Sequence, residues 1–229
     1  MPRLRPQQRG DAASRVSTVE PMLQLPRLYA ILDAACFPDV AGMFAAAEEL
    51  ATAGCTLLQY RNKSGNARQM LEEARELRAR LGASVKLIMN DRADLCLAAQ
   101  YDGLHVGQDD LSPEAARRII GVGSGPARWL GVSTHNPEQL AEADKTSADY
   151  LAIGPVFATT SKANPDPVVG LEGVRRAREL TRKPLVAIGG ITRANARSVI
   201  EAGADAVAVI SDLLRGPGKS AEEFLRVLG

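Results

Sequence analysis

The sequence predicts an α/β protein, a single (β/α)8 barrel of the TIM type, on the basis of three observations. Eight short apolar runs recur along the chain, and most of them end at Gly, Asn, Asp or Ser, as buried parallel strands do. Longer segments with helical spacing of apolar residues separate these runs. The 229 residues are 45% hydrophobic and 24% charged, which suits one large folded domain and excludes a chain that is disordered as a whole.

The elements follow in a regular order. The predicted strands are residues 28–32, 56–60, 85–89, 103–106, 129–132, 150–153, 184–188 and 206–209. The predicted helices carry start or stop signals: 39–53 before Gly54, 66–81 before Gly82, one opened by Asn136-Pro137, and one capped by Thr192 and ended by Gly203. A doubly wound open sheet is the alternative, but it usually has fewer strands and a glycine-rich turn after the first.

Charge and composition exclude several classes of protein. The formal net charge of +1 argues against a nucleic-acid partner, which requires a strong basic field. No run of 18 apolar residues is present, so we expect no membrane span. The three cysteines form no CxxC pair, which indicates a reducing compartment such as the cytoplasm. The chain has two histidines, too few for a multi-histidine metal centre. The sequence leaves open whether the protein forms a homo-oligomer.

The first residues differ from the remainder. Four arginines and only two acidic residues occur before residue 26, and this segment has no apolar periodicity. We therefore predict a flexible N-terminal extension over residues 1–25 and a barrel domain over residues 26–229.

The second predicted strand ends in a polar segment, and the catalytic chemistry of a TIM barrel is built at such strand ends. Alternation points Gln59, Arg61 and Lys63 to the same side, where two cations and an amide suit an anion. Tyr60 and Asn62 of the same segment are included as substrate-binding candidates. A solvated loop is the alternative.

The next two strand ends supply carboxylates. Asn90-Asp91 follows the third strand and Asp110 follows the fourth, so the two aspartates are expected at adjacent positions of the rim. Two carboxylates there suit one Mg²⁺, which completes its shell with water and phosphate. Singly, Asp91 also suits a helix N-cap and Asp110 a turn before Pro113.

The remaining strand ends favour phosphate. Ser133 and His135 follow the fifth strand, and His105 inside the fourth is expected to be a hydrogen-bonded interior histidine. A long loop at 157–169, expected to act as a lid, carries three hydroxyls before a lysine: Thr159, Thr160, Ser161 and Lys162. Gly190 after the seventh strand and Ile210-Ser211 after the eighth occupy the usual phosphate site of a TIM barrel. These two groups of strand ends predict two anion sites.

Several motifs in this order resemble the thiamine-phosphate synthase family. They are QYRNK at 59–63, NDR at 90–92, DGLHVGQDDL at 102–111, GVSTH at 131–135, DYLAIGPVFATTSK at 149–162, AIGGI at 187–191 and VIS at 209–211. The resemblance implies a TIM-barrel transferase that joins a hydroxymethylpyrimidine diphosphate to a thiazole phosphate and releases pyrophosphate. Both substrates are phosphorylated small molecules.

The resemblance also implies roles for single residues. Gln59, Arg61, Lys63, Asn90, Ser133 and Lys162 match the pyrimidine diphosphate site, and among these Arg61, Lys63, Ser133 and Lys162 are the catalytic candidates. Asp91 and Asp110 match the Mg²⁺ ligands. Thr159 and Ser161, with Gly190, Ile210 and Ser211, match the thiazole phosphate site, and Thr160 between them is a further substrate-binding candidate. Ser161 stands where Thr is commoner, and Asp212 stands where a small residue is usual, which predicts less room or altered charge there.

Two other functions remain open. A thiazole tautomerase on the same barrel would use a histidine, for which His135 is the candidate. A non-catalytic sensor of thiamine intermediates would need neither Lys162 nor the paired aspartates.

Overall fold

The computed structural model describes residues 23–122, 126–159 and 166–229, and within them eight parallel strands form a closed barrel in sequence order. The strands are β1 (Leu28–Asp33), β2 (Leu57–Arg61), β3 (Lys86–Asn90), β4 (Gly103–Val106), β5 (Trp129–Thr134), β6 (Tyr150–Ile153), β7 (Leu185–Ile188) and β8 (Ala206–Val209). Pairing of Leu28 in β1 with Val207 in β8 closes the sheet. The predicted (β/α)8 barrel is confirmed, and the open-sheet alternative is excluded.

A helix follows each strand. The helices are α1 (Val40–Thr52), α2 (Ala67–Leu81), α3 (Ala93–Ala98), α4 (Pro113–Ile120), α5 (Pro137–Asp144), α6 (Gly170–Leu180), α7 (Ala196–Glu201) and α8 (Pro217–Leu228). One predicted boundary is wrong. Thr192 does not cap α7, because its N–H donates to Asn195 Oδ1 in a turn and the helix begins only at Ala196.

Strand alternation divides the apolar residues into two cores. The larger core lies between the strands and the surrounding helices. The smaller core fills the barrel and consists of Tyr29, Ile31, Leu57, Ile88, Tyr150, Ala152, Val186, Ala206 and Ala208. Gly131 on β5 makes room for the Tyr150 ring, since a Cβ there would lie 2.1 Å from Tyr150 Cζ. The filled interior leaves the carboxyl ends of the strands as the place for a site.

The predicted N-terminal extension lies mostly outside the described residues. Where the description begins, Leu23 and Leu25 are partly buried against the core inside the barrel. These two leucines therefore contact the barrel, and the division into an extension over residues 1–25 and a barrel over residues 26–229 stays a prediction.

Candidate active site

A cavity of about 480 Å³ opens at the carboxyl ends of the strands, and all eight strands contribute to its lining. We call it the rim cavity. Of the residues predicted from sequence, those that line it are Gln59, Arg61, Lys63, Asn90, Asp91, Asp110, Ser133, Thr159, Gly190, Ile210 and Ser211. The fold therefore brings residues that lie up to 152 positions apart into one site.

The polar end of β2 faces the rim cavity as alternation predicts. Gln59, Arg61 and Lys63 all line it. The Arg61 guanidinium forms an ion pair with Asp33 at the end of β1, and the Asp33 side chain is only 5% exposed. This pair restrains the direction of Arg61, since a guanidinium held by a buried carboxylate has little rotamer freedom.

Tyr60 and Asn62 are corrections to the predicted substrate site. They point to the other side of β2, where the Tyr60 hydroxyl donates to Glu73 of α2 and Asn62 Nδ2 lies 3.3 Å from Glu73 Oε2. Successive side chains of a strand face opposite sides of the sheet, so these two residues support the β2–α2 packing. Neither lines the rim cavity.

Asp91 and Asp110 converge on one cation, the ammonium group of Lys63. Lys63 Nζ contacts the Asp91 carboxylate and lies 3.9 Å from Asp110 Oδ1. Burial raises the pKa of Asp91, and a hydrogen bond and the charge of Asp110 add to this rise while Lys63 opposes it. Two neighbouring carboxylates that already face a cation form an oxygen donor set suited to a hard metal ion.

The alternative roles of the two aspartates have different outcomes. Arg92, not Asp91, occupies the N-cap position of α3, so the helix-cap alternative for Asp91 is excluded. Asp91 itself adopts a left-handed φ of 59°, which is uncommon for a residue other than Gly, Asn or Asp. Asp110 does close a turn, because its Oδ2 accepts a hydrogen bond of 2.7 Å from the Gly107 N–H, but this leaves Oδ1 directed at Lys63.

A chain of hydrogen bonds crosses the floor of the rim cavity. Its links are Gln59 Nε2 to Tyr29 OH (2.7 Å), Tyr29 OH to Tyr150 OH (3.0 Å), Tyr150 OH to His105 Nδ1 (3.1 Å) and His105 Nε2 to Ser133 Oγ (2.8 Å). We call these five residues the floor chain. The expected interior role of His105 is confirmed, and burial lowers the pKa of its imidazole to about 4.

Sequence reasoning missed the two tyrosines of this chain. Strand alternation could have placed Tyr29. It stands two residues before Ile31 on β1, and residues two apart on a strand face the same side, here the barrel interior. Tyr150 begins β6 opposite Gly131, and a glycine beside an aromatic residue indicates a ring that needs the space.

The opposite wall of the rim cavity is formed by the ends of β7 and β8. Gly189 and Gly190 have positive φ angles of 98° and 62°, and a Cβ on Gly190 would lie 2.5 Å from the Ala158 carbonyl oxygen. Ile210 and Ser211 complete this wall. Only glycine permits this close approach, which brings main-chain groups to the surface of the cavity.

Asp212 does not intrude on this wall. Its Oδ2 accepts hydrogen bonds of 3.0 Å from both Nε and the main-chain N–H of Arg193, and the same guanidinium contacts Glu223. Asp212 is absent from the cavity lining. The expectation of less room is therefore wrong, because the carboxylate turns toward Arg193, whose positive charge offsets its own.

The loop after β6 is described only in part. Thr159 lines the rim cavity, and Asp166 lies 3.5 Å from His135, which itself approaches the Gly154 carbonyl oxygen at 2.7 Å. Thr160, Ser161 and Lys162 lie outside the described residues. Sequence reasoning missed four further polar residues that line the cavity, which are Gln108, Asp109, Gln139 and Asp166. Gln139 lies on α5, away from the strand ends on which that reasoning was based.

No group of three or more His, Cys, Asp or Glu side chains within residues 23–122, 126–159 and 166–229 is arranged to hold a metal. A two-aspartate Mg²⁺ site falls below that number, because Mg²⁺ commonly takes one or two carboxylates and keeps water or phosphate for the rest. In the same ranges, each helix is too short or too polar to cross a membrane.

A closed TIM barrel with a carboxylate pair and cations on one side of its rim cavity, and a glycine-lined wall on the other, defines the class of barrel enzymes that bind phosphorylated small molecules. Comparison with known families identifies the particular family within this class. Residues 28–213 match the model of the thiamine monophosphate synthase family, and the chain belongs to this family.

Relatives and solved structures agree with this assignment. The chain is 62% identical over 209 residues to thiamine-phosphate synthase of Koribacter versatilis, which covers 90% of this chain and 97% of the relative. It is 46% identical to thiamine-phosphate synthase of Chloroflexus aurantiacus, over 81% of this chain and 83% of the relative. A solved thiamine phosphate pyrophosphorylase from Pyrococcus furiosus superposes with a TM-score of 0.76 at 35% identity, covering 88% of this chain and 95% of that one.

Proposed function

We propose that the protein is a Mg²⁺-dependent thiamine-phosphate synthase. It would join 4-amino-2-methyl-5-hydroxymethylpyrimidine diphosphate to 4-methyl-5-(2-phosphoethyl)thiazole and yield thiamine phosphate and pyrophosphate. With the carboxylated form of the thiazole phosphate, CO2 would be released as well. The observation that carries this proposal is the division of one cavity into two sides, since β3 and β7 face each other across a closed eight-stranded barrel. The family and its relatives supply the class of reaction.

The pyrimidine diphosphate belongs on the β2–β5 side. Arg61 offers a planar fork and Lys63 a point charge, both of which suit diphosphate oxygens. Ser133 lines the same side and carries a hydroxyl that can donate to an oxygen anion. Lys162, which the resemblance matches to a further diphosphate contact, is part of the same proposal.

Asp91 and Asp110 fit the Mg²⁺ that this reaction requires, because their carboxylates already converge on a cation. When bound, Mg²⁺ would neutralise charge on the departing pyrophosphate. Lys63 would then exchange its contacts with the two aspartates for contacts with the diphosphate, which keeps the charges of the cluster paired.

The thiazole phosphate belongs on the β7–β8 side. Gly190 at φ 62° and the Ile210–Ser211 turn bring main-chain groups close to the cavity, as phosphate sites of TIM barrels do. Thr159 lines the cavity and adds a hydroxyl. Ser161 is assigned to the same phosphate through the resemblance, and Thr160 is proposed as a further substrate-binding residue.

The chemistry needs charge stabilisation more than proton transfer. The bond between the pyrimidine methylene carbon and the diphosphate oxygen breaks, and its electron pair leaves with pyrophosphate. The electron-donating amino group of the ring stabilises the cation that remains, and the thiazole nitrogen lone pair then forms the new C–N bond. The attacking thiazole nitrogen has no proton to lose, so no general base is required. Arg61 and Lys63 stabilise the leaving charge.

We also propose the cytoplasm as the location. All three cysteines, Cys36, Cys55 and Cys96, are free thiols, and two of them are buried. Free thiols are usual where glutathione and thioredoxin keep proteins reduced.

One assay tests the function. The full chain is mixed with the pyrimidine diphosphate, the thiazole phosphate and Mg²⁺, and thiamine phosphate and pyrophosphate are measured together. Equal amounts of both products are expected, and turnover should stop when EDTA removes the metal. Isomerisation of the thiazole without pyrophosphate release would contradict the proposal and favour a tautomerase.

A further inference from the structure

The floor chain connects two ligand-facing groups through three residues that have no direct contact assigned to a substrate. Gln59 lies at one end and Ser133 at the other, and both line the rim cavity. Tyr29, Tyr150 and His105 connect them by four links of 2.7 to 3.1 Å. The three connecting residues lie on β1, β6 and β4, so the chain depends on barrel closure.

The three connecting side chains are enclosed. Tyr29 and Tyr150 are each 1% exposed and His105 is 8% exposed. The His105 ring stacks on Tyr150 with ring centroids 5.6 Å apart. Within the described residues, neither imidazole nitrogen contacts a carboxylate, since each faces a hydroxyl oxygen. Side chains this deeply buried expose little surface to bulk water, and Tyr29 and His105 also line the floor of the rim cavity.

The position of the His105 proton sets the direction of this chain. A neutral imidazole has one donor and one acceptor nitrogen, and each hydroxyl has a single proton but can accept more than one hydrogen bond. In the first direction His105 Nε2–H donates to Ser133 Oγ, so Nδ1 accepts from Tyr150, Tyr150 accepts from Tyr29, and Tyr29 accepts from Gln59 Nε2. The Ser133 proton is then free for the cavity. In the second direction the proton is on Nδ1, and Nε2 accepts the Ser133 proton.

An anion beside Ser133 selects the first direction, because a phosphate oxygen accepts and cannot donate. In that direction the Gln59 amide uses its nitrogen on Tyr29 and leaves its oxygen for a ligand N–H. Gln59 Nε2 to Tyr29 OH, at 2.7 Å, is the arrangement in the structure. The two ends of the chain are therefore matched to a ligand with an anionic group and an N–H donor.

We propose that Tyr29, Tyr150 and His105 are positioning residues that set the polarity of both ends, so that Ser133 donates to the anion and Gln59 accepts from an N–H group. This inference rests on the proposed function, whose pyrimidine substrate carries a diphosphate and an amino group. It assigns to buried residues part of the selection between this substrate and an analogue that lacks the amino group.

The position of the His105 proton tests the direction without any turnover. The full chain, labelled with ¹⁵N-histidine, is saturated with Mg²⁺ and inorganic pyrophosphate near neutral pH, and the ring nitrogen signals are recorded by NMR. The chain has two histidines, and a His135→Gln variant assigns them. A proton on Nε2 of His105 is expected. A proton on Nδ1 would overturn the proposal.

Variants test the coupling between the middle of the chain and its ends. Tyr150→Phe removes the central hydroxyl, and we expect it to weaken binding of Mg²⁺-pyrophosphate by about tenfold in calorimetry, the effect of losing one oriented hydrogen bond. Tyr101→Phe is the matched control. Tyr101 is also 1% exposed, but it lies outside the rim cavity and its hydroxyl has no partner within the described residues.

The outcomes separate this proposal from the function itself. Equal pyrophosphate affinity in a folded Tyr150→Phe and in Tyr101→Phe would overturn the positioning role, while product formation by the unchanged protein would leave the function intact. If Tyr150→Phe does not fold, the NMR measurement on the unchanged chain decides. Absence of product with a proton on Nε2 would contradict the function and leave the polarity of the chain supported.

Discussion

The Lys63 ammonium and the Asp91 carboxylate form an ion pair where β2 and β3 end side by side. The pair places a cation between Asp91 and Asp110, whose nearest carboxylate oxygen, Oδ1, lies 3.9 Å from Lys63 Nζ. An ammonium group held by two carboxylates supports the proposal that Asp91 and Asp110 bind Mg²⁺.

Replacing either aspartate should remove the metal dependence. Asp91→Asn and Asp110→Asn keep the shape of the side chain but lose its charge, so we expect turnover at fixed Mg²⁺ to fall by about a hundredfold or more. Steady-state rates across a Mg²⁺ titration measure this. Asp94→Asn is the control, because Asp94 is exposed and its ion pair among the described residues is with Arg92. Near-normal turnover of both rim variants would remove the Mg²⁺ assignment.

Arg61 should contribute to stability as well as to catalysis. Arg61→Met leaves the Asp33 carboxylate buried without its cation, and we expect the free energy of unfolding to fall by about 2 kcal/mol. This loss is smaller than that expected for a fully buried ion pair, because Arg61 is partly exposed. Adding Asp33→Asn should restore most of the stability but none of the activity. Urea unfolding and the product assay are the two measurements.

An exposed arginine on the neighbouring strand end provides the control for this pair. Arg92→Met removes a guanidinium whose partner, Asp94, is 63% exposed, so the loss should stay below about 0.5 kcal/mol. A similar loss in both variants would mean that the Arg61–Asp33 pair contributes no more to the free energy of unfolding than an exposed ion pair does.

Acid should destabilise the protein through His105. Burial lowers the pKa of His105 from its ordinary 6.5 to about 4, so the folded state binds fewer protons than the unfolded state between these values. The stability that His105 provides is therefore complete above about pH 6.5 and is lost as the pH falls toward 4. Between pH 7 and 4.5 the loss should be about 2 kcal/mol.

A His105→Gln variant isolates this effect. The difference in free energy of unfolding between the unchanged protein and the variant should narrow as the pH falls, because only the former must protonate a buried imidazole. Tyr101→Phe, which titrates no group in this range, should show a constant difference. A constant difference for His105→Gln would show that the imidazole is already protonated or solvated in the fold.

Asp212 should be needed for stability and not for activity. Asp212→Asn loses the ion pair with Arg193, and we expect a cost of about 1 kcal/mol in urea unfolding. The KM for the thiazole phosphate should remain within about twofold, since the side chain does not line the rim cavity. A large change in this KM with unchanged stability would return Asp212 to the phosphate site.

Sequence by itself determined the fold class and most of the rim. Short apolar runs alternating with helical segments predict eight βα units, because parallel strands buried on both faces lose the polar alternation of exposed sheets. Parity along a strand then placed Gln59, Arg61 and Lys63 on one side. The same rule, applied to Tyr60 and Asn62, would have sent them to the helix side, where the structure has them.

Tertiary structure decided which polar residues meet. Tyr29 and Tyr150 are 121 positions apart, and only closure of the barrel brings their hydroxyls to 3.0 Å. The direction of Asp212 depended on Arg193, a partner 19 positions away on a loop. The alternation of residues along a strand predicts which face of the sheet a side chain occupies. A contact between residues distant in the sequence depends on the packing of all the elements between them.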